Sequence, residues 1–372
     1  MLLPRRLLTS LRFLIVATLC HASSVATRAQ DSPIRLPSEN LLVYHDVDGV
    51  ASAVKNLGDW KKRRAEIVKG MQRVMGTLPG EEKRCALEMS VESERDFGTY
   101  VRVLISYASE PGGRVPAYLL VPKSLLNGDG TRAPAVLCLH PTDDVVGHGV
   151  VVGEGKSDYP AYGNELAEHG FVVLAPSYPR LARYQPDLDA LGWKSGTLKA
   201  VWDNMRGLDL LASLPYVTPG RFGAIGHSLG GHNAIFTSVF EDRVKVVVTS
   251  CGFDSFRDYY GGADVVWQAG KGWTQNRYMP RLAEYRGRLG AIPFDFGELL
   301  GSLAPRPILV IAPLHDSNFQ AQSVDRMIAA ARPIYALFDR PASLKVEHPD
   351  CGHEFNKAMR DKAYSLFEEQ LR

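Results

Sequence analysis

From residue 130 onward, short apolar runs alternate with segments in which apolar residues recur every three or four positions. The runs are residues 133–140, 170–177, 220–227, 244–250, 306–313 and 343–349. The segments with helical spacing are residues 162–170, 201–215, 230–240 and 323–332. Near-continuous apolar strands separated by helices are typical of a parallel sheet buried on both faces. The pattern therefore predicts an α/β fold with a mostly parallel, twisted sheet and helices on both faces.

The chain ahead of this alternation shows two further elements. Residues 97–109 and 115–122 flank the turn sequence EPGGR and predict an N-terminal β-hairpin. Residues 59–76 carry apolar side chains on one helical face, with Asp59 placed to cap the start of a helix and Gly76 to end it. The basic cluster Lys61–Arg64 is interpreted as the solvated face of that helix.

These elements predict how the chain is divided. We expect an N-terminal helical extension over residues 30–96 and one main α/β domain over residues 97–372. Residues 253–300 interrupt the strand–helix rhythm and are rich in aromatic side chains. Either they form a cap insertion over the carboxyl ends of the strands, or they form a peripheral pair of helices. We favour the cap.

Residues 1–29 have the three parts of a secretory signal peptide. Arg5, Arg6 and Arg12 precede the apolar stretch FLIVATLC, and TRA at residues 27–29 offers small residues for cleavage. The apolar stretch is less than half the roughly 20 residues that span a bilayer. A buried N-terminal helix is the alternative. The pattern favours a secreted or periplasmic protein without stable membrane insertion once the signal is removed.

The charge balance gives no indication of a nucleic-acid partner. The full chain has 43 basic and 41 acidic residues, a formal charge of +2. Residues 1–29 contain four arginines and no acid, so their removal leaves 39 basic against 41 acidic residues, about −2. A domain that binds nucleic acid usually carries a marked basic excess.

The remaining cysteines do not define a disulfide framework. Cys85, Cys138, Cys251 and Cys351 allow three pairings, and an exported protein could use any of them. Cys138 and Cys251 lie in apolar, strand-like runs, which favours buried free thiols. No C-x-x-C spacing indicates zinc, and we expect neither a metal nor a cofactor.

One serine has the setting of a nucleophile. Gly226-His227-Ser228-Leu229-Gly230 matches G-x-S-x-G and lies between the strand-like RFGAI and the helix-like GGHNAIFTSVF. Small residues on either side of the serine permit a tight strand-to-helix turn that exposes its hydroxyl. The alternative is an ordinary turn serine.

A serine nucleophile needs a base, and the base needs an acid to orient it. His353 lies in the loop DCGHEF after the last strand, whereas His232, His315 and His348 have less suitable positions. Asp316 follows the strand RPILVIAP and lies between serine and histidine in chain order, as this fold type requires. Asp254, after the preceding strand, is the rival acid.

An oxyanion hole needs two preorganised N–H donors. The amide of Leu229 directly follows the nucleophile. The second donor should come from the loop after AVLCLH, where Pro141 has no N–H, so we assign Thr142 or a near neighbour. His140 is interpreted either as part of the site or as a structural residue that fastens this loop.

These motifs resemble the α/β-hydrolase superfamily over roughly residues 97–372. The segments LCLHPT, GHSLGG, LHDSNF and GHEF are most similar to its dienelactone-hydrolase, prolyl-oligopeptidase-like and acetyl-xylan-esterase-like branch. The GGG oxyanion loop of many lipases is absent. The resemblance implies a Ser228–Asp316–His353 triad that acts through an acyl-enzyme without a cofactor.

The sequence therefore predicts an exported serine esterase that acts on a small or carbohydrate-linked carboxylic ester. A prolyl-oligopeptidase-like peptidase would use the same triad, but the N-terminal segment is too short to form the propeller of large members. A binding protein on the same scaffold, without catalysis, is a third hypothesis. The sequence does not identify the acyl or alcohol group of the substrate.

Overall fold

The computed structural model describes residues 35–155 and 159–372. The proposed signal peptide over residues 1–29 lies outside the described residues. Residues 35–372 form one compact unit. No helix in the described ranges is long and apolar enough to cross a bilayer.

A nine-stranded sheet forms the centre of the structure. Its strands are β3 (Ser90–Asp96), β4 (Tyr100–Glu110), β5 (Gly113–Pro122), β6 (Ala133–Leu139), β7 (Val172–Pro176), β8 (Val217–His227), β9 (Val244–Ser250), β10 (Ile308–Ile311) and β11 (Leu344–Glu347). Their order is β11-β10-β9-β8-β6-β7-β5-β4-β3. The six strands β6 to β11 pair in parallel with one another. The strands β3, β4 and β5 are antiparallel to their neighbours, and β5 joins the parallel part through β7.

The predicted hairpin is confirmed as β4 and β5. A small separate hairpin consists of β1 (Val43–His45) and β2 (Ala51–Ala53).

Helices cover both faces of the sheet, which confirms the predicted fold class. They are α1 (Leu57–Met75), α2 (Tyr162–Glu168), α3 (Gly196–Ser213), α4 (Leu229–Phe240), α5 (Phe296–Leu303), α6 (Ala321–Leu337) and α7 (Lys357–Leu371). Along β6, Ala135 and Leu137 face the larger core with α1, α3, α4, α5 and α6, while Val136 and Cys138 face the smaller core with α2 and α7. Because successive side chains point to opposite faces, a strand between two helical layers is apolar throughout.

The N-terminal helix α1 begins earlier than the sequence predicts. Asn56, not Asp59, is its N-cap, since the Asn56 side chain accepts a hydrogen bond from the Asp59 amide. Gly76 ends the helix at φ +101°, as expected. The interpretation of Lys61–Arg64 as a solvated face is wrong for Arg63, which is 3% exposed and bonds to buried Glu298 of α5.

Residues 253–300 form a series of short 3₁₀ turns that leads into α5. Their aromatic side chains divide into two groups. Phe253, Phe256 and Trp267 are buried in the larger core, whereas Tyr259, Tyr260, Trp273 and Tyr278 line a cavity at the carboxyl ends of the central strands. Trp273 and Tyr278 also pack against the larger core.

Candidate active site

The chain order around the central strands creates the site. From β6 the chain passes through β7 on one side and then returns to β8 on the other. In open α/β sheets, ligands bind outside the carboxyl ends of the strands at such a reversal. Thr142 follows β6 and Ser228 follows β8, so the reversal brings their loops together.

Ser228 lies in a sharp turn between β8 and α4. Its backbone has φ +54° and ψ −122°, a conformation that is costly for a residue with a Cβ. The Ser228 amide donates to the Ser250 carbonyl of the neighbouring strand at 2.8 Å, and the Ser228 carbonyl accepts from the His232 amide of α4 at 3.0 Å. These bonds fix the strained residue from both sides.

The glycines of the motif permit this turn because backbone atoms occupy the space of a side chain. A Cβ at Gly226 would lie 2.1 Å from the Gly230 carbonyl carbon. A Cβ at Gly230 would lie 1.9 Å from the Leu139 carbonyl oxygen. The explanation for glycine at these two positions is therefore close backbone approach, as the sequence motif predicts.

Ser228 opens into a cavity of about 280 Å³ that we call the aromatic chamber. It is lined by Pro141, Thr142, Tyr159, His227, Ser228, Leu229, Tyr259, Tyr260, Trp273, Tyr278, Asn318, Phe319 and His353. Four of the five predicted site residues, Ser228, His353, Leu229 and Thr142, line this chamber. The fifth, Asp316, lies behind His353.

His353 and Asp316 form a close pair. The Nδ1 atom of His353 lies 2.9 Å from each carboxylate oxygen of Asp316, whose side chain is 1% exposed. The amides of Asn318 and Phe319 also donate to Asp316, at 2.7 and 3.2 Å. The Nε2 atom of His353 lies 3.5 Å from the Asn318 side-chain amide.

These contacts decide the charge of Asp316. Burial opposes its ionisation, but the hydrogen bond and charge of His353 and the two backbone amides outweigh burial and lower the pKa of the carboxyl. A carboxylate held in this way accepts the Nδ1–H of an imidazole and leaves Nε2 as the basic atom.

The rival candidates have other partners. Asp254 is buried and accepts from the Gln320 amide at 3.2 Å rather than contacting His353. His315 bonds to Asp350 at 2.8 Å, and His348 bonds to Asp325 at 3.0 Å. His232 is fully buried and stacks between the rings of Phe236 and Trp273.

The loop after β6 is fastened by His140. Its Nε2 atom accepts from the Tyr178 amide at 2.9 Å, and its Nδ1 atom donates to the Pro141 carbonyl at 2.7 Å. Burial lowers the pKa of His140 to about 4, so the ring stays neutral and keeps both bonds. His140 therefore has the structural role that the sequence left as one of two interpretations. The Thr142 hydroxyl bonds to the Tyr278 hydroxyl at 3.1 Å.

Among the described residues, one group has the side-chain types of a metal site. Ligand atoms of Cys251, Asp316 and His353 lie within 4.8 Å of one another. Burial, and then the charge of Asp316, raise the pKa of the Cys251 thiol well above its usual value. Two of the cluster's three members, Asp316 and His353, already bond each other at 2.9 Å, and this pair accounts for the cluster. All four cysteines in the described ranges are free thiols.

Sequence reasoning missed Asn318 and Phe319, which contribute both backbone amides to Asp316 and side chains to the chamber. Their position two and three residues after the acid, in HDSNF, was a usable signal, because a carboxylate commonly accepts from amides two and three residues ahead.

Comparisons with known proteins agree with this architecture. Residues 192–339 match the family model described as "Glucuronyl esterase, fungi". The chain is 28% identical to the putative hydrolase YtaP of Bacillus subtilis over 83% of this chain and 100% of the relative. It is 24% identical to 4-O-methyl-glucuronoyl methylesterase 1 of Wolfiporia cocos over 86% of this chain and 78% of the relative.

A solved structure shares the fold. The glucuronoyl esterase from Solibacter usitatus superposes with a TM-score of 0.68, at 17% identity, over 91% of this chain and 98% of that structure. At this identity the likeness establishes the fold alone. The chain therefore has the α/β-hydrolase fold, and its sequence matches support an esterase of the serine-hydrolase type.

Proposed function

We propose that the protein hydrolyses carboxylic esters in which one half of the ester is a carbohydrate, with Ser228, His353 and Asp316 as its catalytic triad. The observation that carries this proposal is the strained Ser228 facing the same chamber as His353, whose other nitrogen is held by the buried Asp316 carboxylate. The relatives named as glucuronoyl esterases support a carbohydrate-containing substrate.

The reaction follows from the positions of these groups. The Ser228 Oγ attacks the ester carbonyl while His353 Nε2 takes its proton, and the imidazolium that forms is stabilised by Asp316. The amides of Leu229 and Thr142 bind the oxyanion. His353 then protonates the departing alcohol oxygen, and water, activated by the same histidine, cleaves the acyl-enzyme to release the acid.

The aromatic rings that line the chamber support a substrate that contains a sugar or an aromatic group. Tyr259, Tyr260, Trp273 and Tyr278 line the same chamber as Ser228. Such rings provide apolar surface and stacking for a sugar face or an aromatic group. The placement of residues 253–300 supports their proposed role as a cap over the site.

Pre-steady-state kinetics test the triad proposal. Hydrolysis of p-nitrophenyl acetate should begin with a burst of p-nitrophenol that approaches one equivalent per enzyme, because this activated ester acylates the serine faster than water cleaves the acyl-enzyme. The Ser228→Ala variant should lose both the burst and the turnover. Undiminished turnover in that variant would exclude the proposal.

We also propose that residues 1–29 direct export and are then removed, on the strength of their charged, apolar and small-residue segments. The N-terminal sequence of protein recovered from outside the cytoplasm should begin at Gln30. Recovery of protein that still begins at Met1 in that fraction would contradict cleavage.

A further inference from the structure

Asn318 contacts three separate parts of the candidate site. Its backbone amide donates to Asp316 at 2.7 Å. Its side-chain nitrogen Nδ2 lies 3.5 Å from His353 Nε2, and its side-chain oxygen accepts from the Tyr260 hydroxyl at 3.1 Å. Asn318 is half-buried and lines the aromatic chamber together with Ser228 and His353. A polar side chain that the proposed triad does not use therefore lies against the nitrogen that exchanges the proton.

The orientation of the Asn318 side-chain amide follows from its two neighbours. Because Asp316 accepts the Nδ1–H of His353, the Nε2 atom presents a lone pair and favours the NH₂ end of the amide over its oxygen end. The Tyr260 hydroxyl donates to the amide oxygen and favours the same orientation. The amide therefore directs its N–H donors towards Nε2.

The distance between the two nitrogens leaves room for a shared partner. At 3.5 Å the direct contact is longer than a strong hydrogen bond, whereas an oxygen beside the line that joins Nδ2 and Nε2 can lie about 2.9 Å from both. The proposed reaction brings two oxygens to His353 Nε2 in turn, that of the departing alcohol and that of the hydrolytic water. Each of them is within hydrogen-bond reach of Asn318 while it exchanges its proton.

We propose that Asn318 is a further catalytic residue, which donates a hydrogen bond to the oxygen that exchanges its proton with His353. In acylation, the C–O bond of the ester breaks as the Nε2–H proton passes to the alcohol oxygen, and the Asn318 N–H stabilises the negative charge that develops on this oxygen. In deacylation, the same N–H orients the water whose proton passes to Nε2 as its oxygen bonds the acyl carbon.

This inference rests on the proposed function, since it takes His353 as the group that carries the proton. It holds whichever half of the ester contains the carbohydrate, because it concerns the oxygen at the cleaved bond. Tyr260 is a positioning residue, since it acts on the reaction through the orientation of the Asn318 amide.

The first test separates acylation from deacylation in one variant. Asn318→Leu removes the donor, keeps the approximate size of the side chain and retains the backbone amide that bonds Asp316. With p-nitrophenyl acetate, the rate of the p-nitrophenol burst should stay within about threefold of wild type, because p-nitrophenolate departs without a donor. The steady-state rate that follows the burst should fall about tenfold or more, because the water is no longer oriented.

A second ester tests the role of Asn318 in the departure of the alcohol. Benzyl acetate forms the same acetyl-enzyme but releases an alkoxide, which needs a proton as it leaves. Its kcat/KM should fall about tenfold or more in Asn318→Leu, whereas kcat/KM for p-nitrophenyl acetate should stay near that of wild type. Tyr260→Phe should show the same pattern to a smaller degree, because the ring remains but the amide loses the hydroxyl that orients it.

Gln320→Leu is the matched control, since it removes an exposed side-chain amide that lies two residues further on and does not line the chamber. Its burst, steady-state rate and kcat/KM should equal those of wild type. A burst in Asn318→Leu that slows as much as the steady-state rate would mean that Asn318 only supports the Asp316–His353 pair. That result, or unchanged rates in every assay, would overturn the proposal. Failure of the proposed function is distinguishable, because the wild-type enzyme would then show no p-nitrophenol burst.

Discussion

Ser228 and His353 show how single residues carry the proposed chemistry. The serine is held at φ +54°, and the imidazole is oriented by a carboxylate that is 1% exposed. The sequence motif predicted the tight turn at Ser228, because close backbone approach requires glycine at Gly226 and Gly230. The chain order predicted that Asp316 and His353 would lie together, because each follows a strand of the sheet at the same edge.

Asp316→Asn should lower kcat by about 10⁴-fold, since an amide at this position favours the wrong tautomer of the histidine. Steady-state kinetics on p-nitrophenyl acetate measure this. Asp350→Asn is the control, because Asp350 is an exposed acid that bonds His315 in the neighbouring loop. A loss below tenfold in Asp316→Asn would indicate that another group orients His353.

Asp254 predicts a pH dependence of stability. Burial, together with the nearby acids Asp258 and Asp295, raises its pKa to about 8, from 3.8 in an unfolded chain. Because the folded-state pKa is the higher one, the proton adds stability that is fully present below about pH 4 and is lost as the pH rises through 8.

Asp254→Asn keeps the acceptor for the Gln320 amide but cannot titrate. Urea unfolding between pH 4 and pH 9 should therefore show the wild-type protein losing stability relative to the variant as the pH rises. Parallel stability curves for the two proteins would contradict the raised pKa of Asp254.

At the scale of elements, the strands of the parallel region were predictable because both of their faces are buried, so their apolar runs are continuous. β3 was missed for the opposite reason. All seven of its residues are exposed at the edge of the sheet, and SVESERD shows no apolar run. Its strand conformation is set by pairing with β4, which local sequence does not encode.

The β8–α4 turn gives a prediction for an element. Gly230→Ala would place a Cβ against the Leu139 carbonyl and push α4 away from the loop after β6, so kcat/KM should fall about 100-fold or more. Kinetic assays with circular dichroism separate this effect from unfolding.

Gly290→Ala is the control for that variant, because a Cβ there meets only the flexible Arg257 side chain at 3.4 Å. Near-wild-type activity of Gly230→Ala would show that the turn tolerates a side chain and is not the rigid support of Ser228.

At the scale of the molecule, the N-terminal segment is joined to the main domain through buried charge. Glu298 of α5 is fully buried and bonds Arg63 of α1 and Arg35, the latter at 2.7 Å. The sequence could not predict this cluster, because its members are up to 263 positions apart and each is charged.

Glu298→Ala should lower the free energy of unfolding by about 3 kcal/mol, since it removes the fully buried carboxylate that pairs with Arg63 and Arg35, although Arg63 keeps its bond of 3.2 Å to Glu66. Urea unfolding measures this. Glu39→Ala removes an exposed partner of Arg257 and should cost less than about 1 kcal/mol. Equal losses in the two variants would mean that the buried cluster contributes no more than a surface ion pair.

Reaction with a fluorophosphonate, followed by mass mapping of the adduct, tests the central claim most directly, because the probe labels a serine only when a base activates it. The account predicts one adduct per chain, on Ser228, that is absent from Ser228→Ala and forms far more slowly in His353→Ala. An adduct on another serine, or rapid labelling of Ser228 without His353, would contradict it.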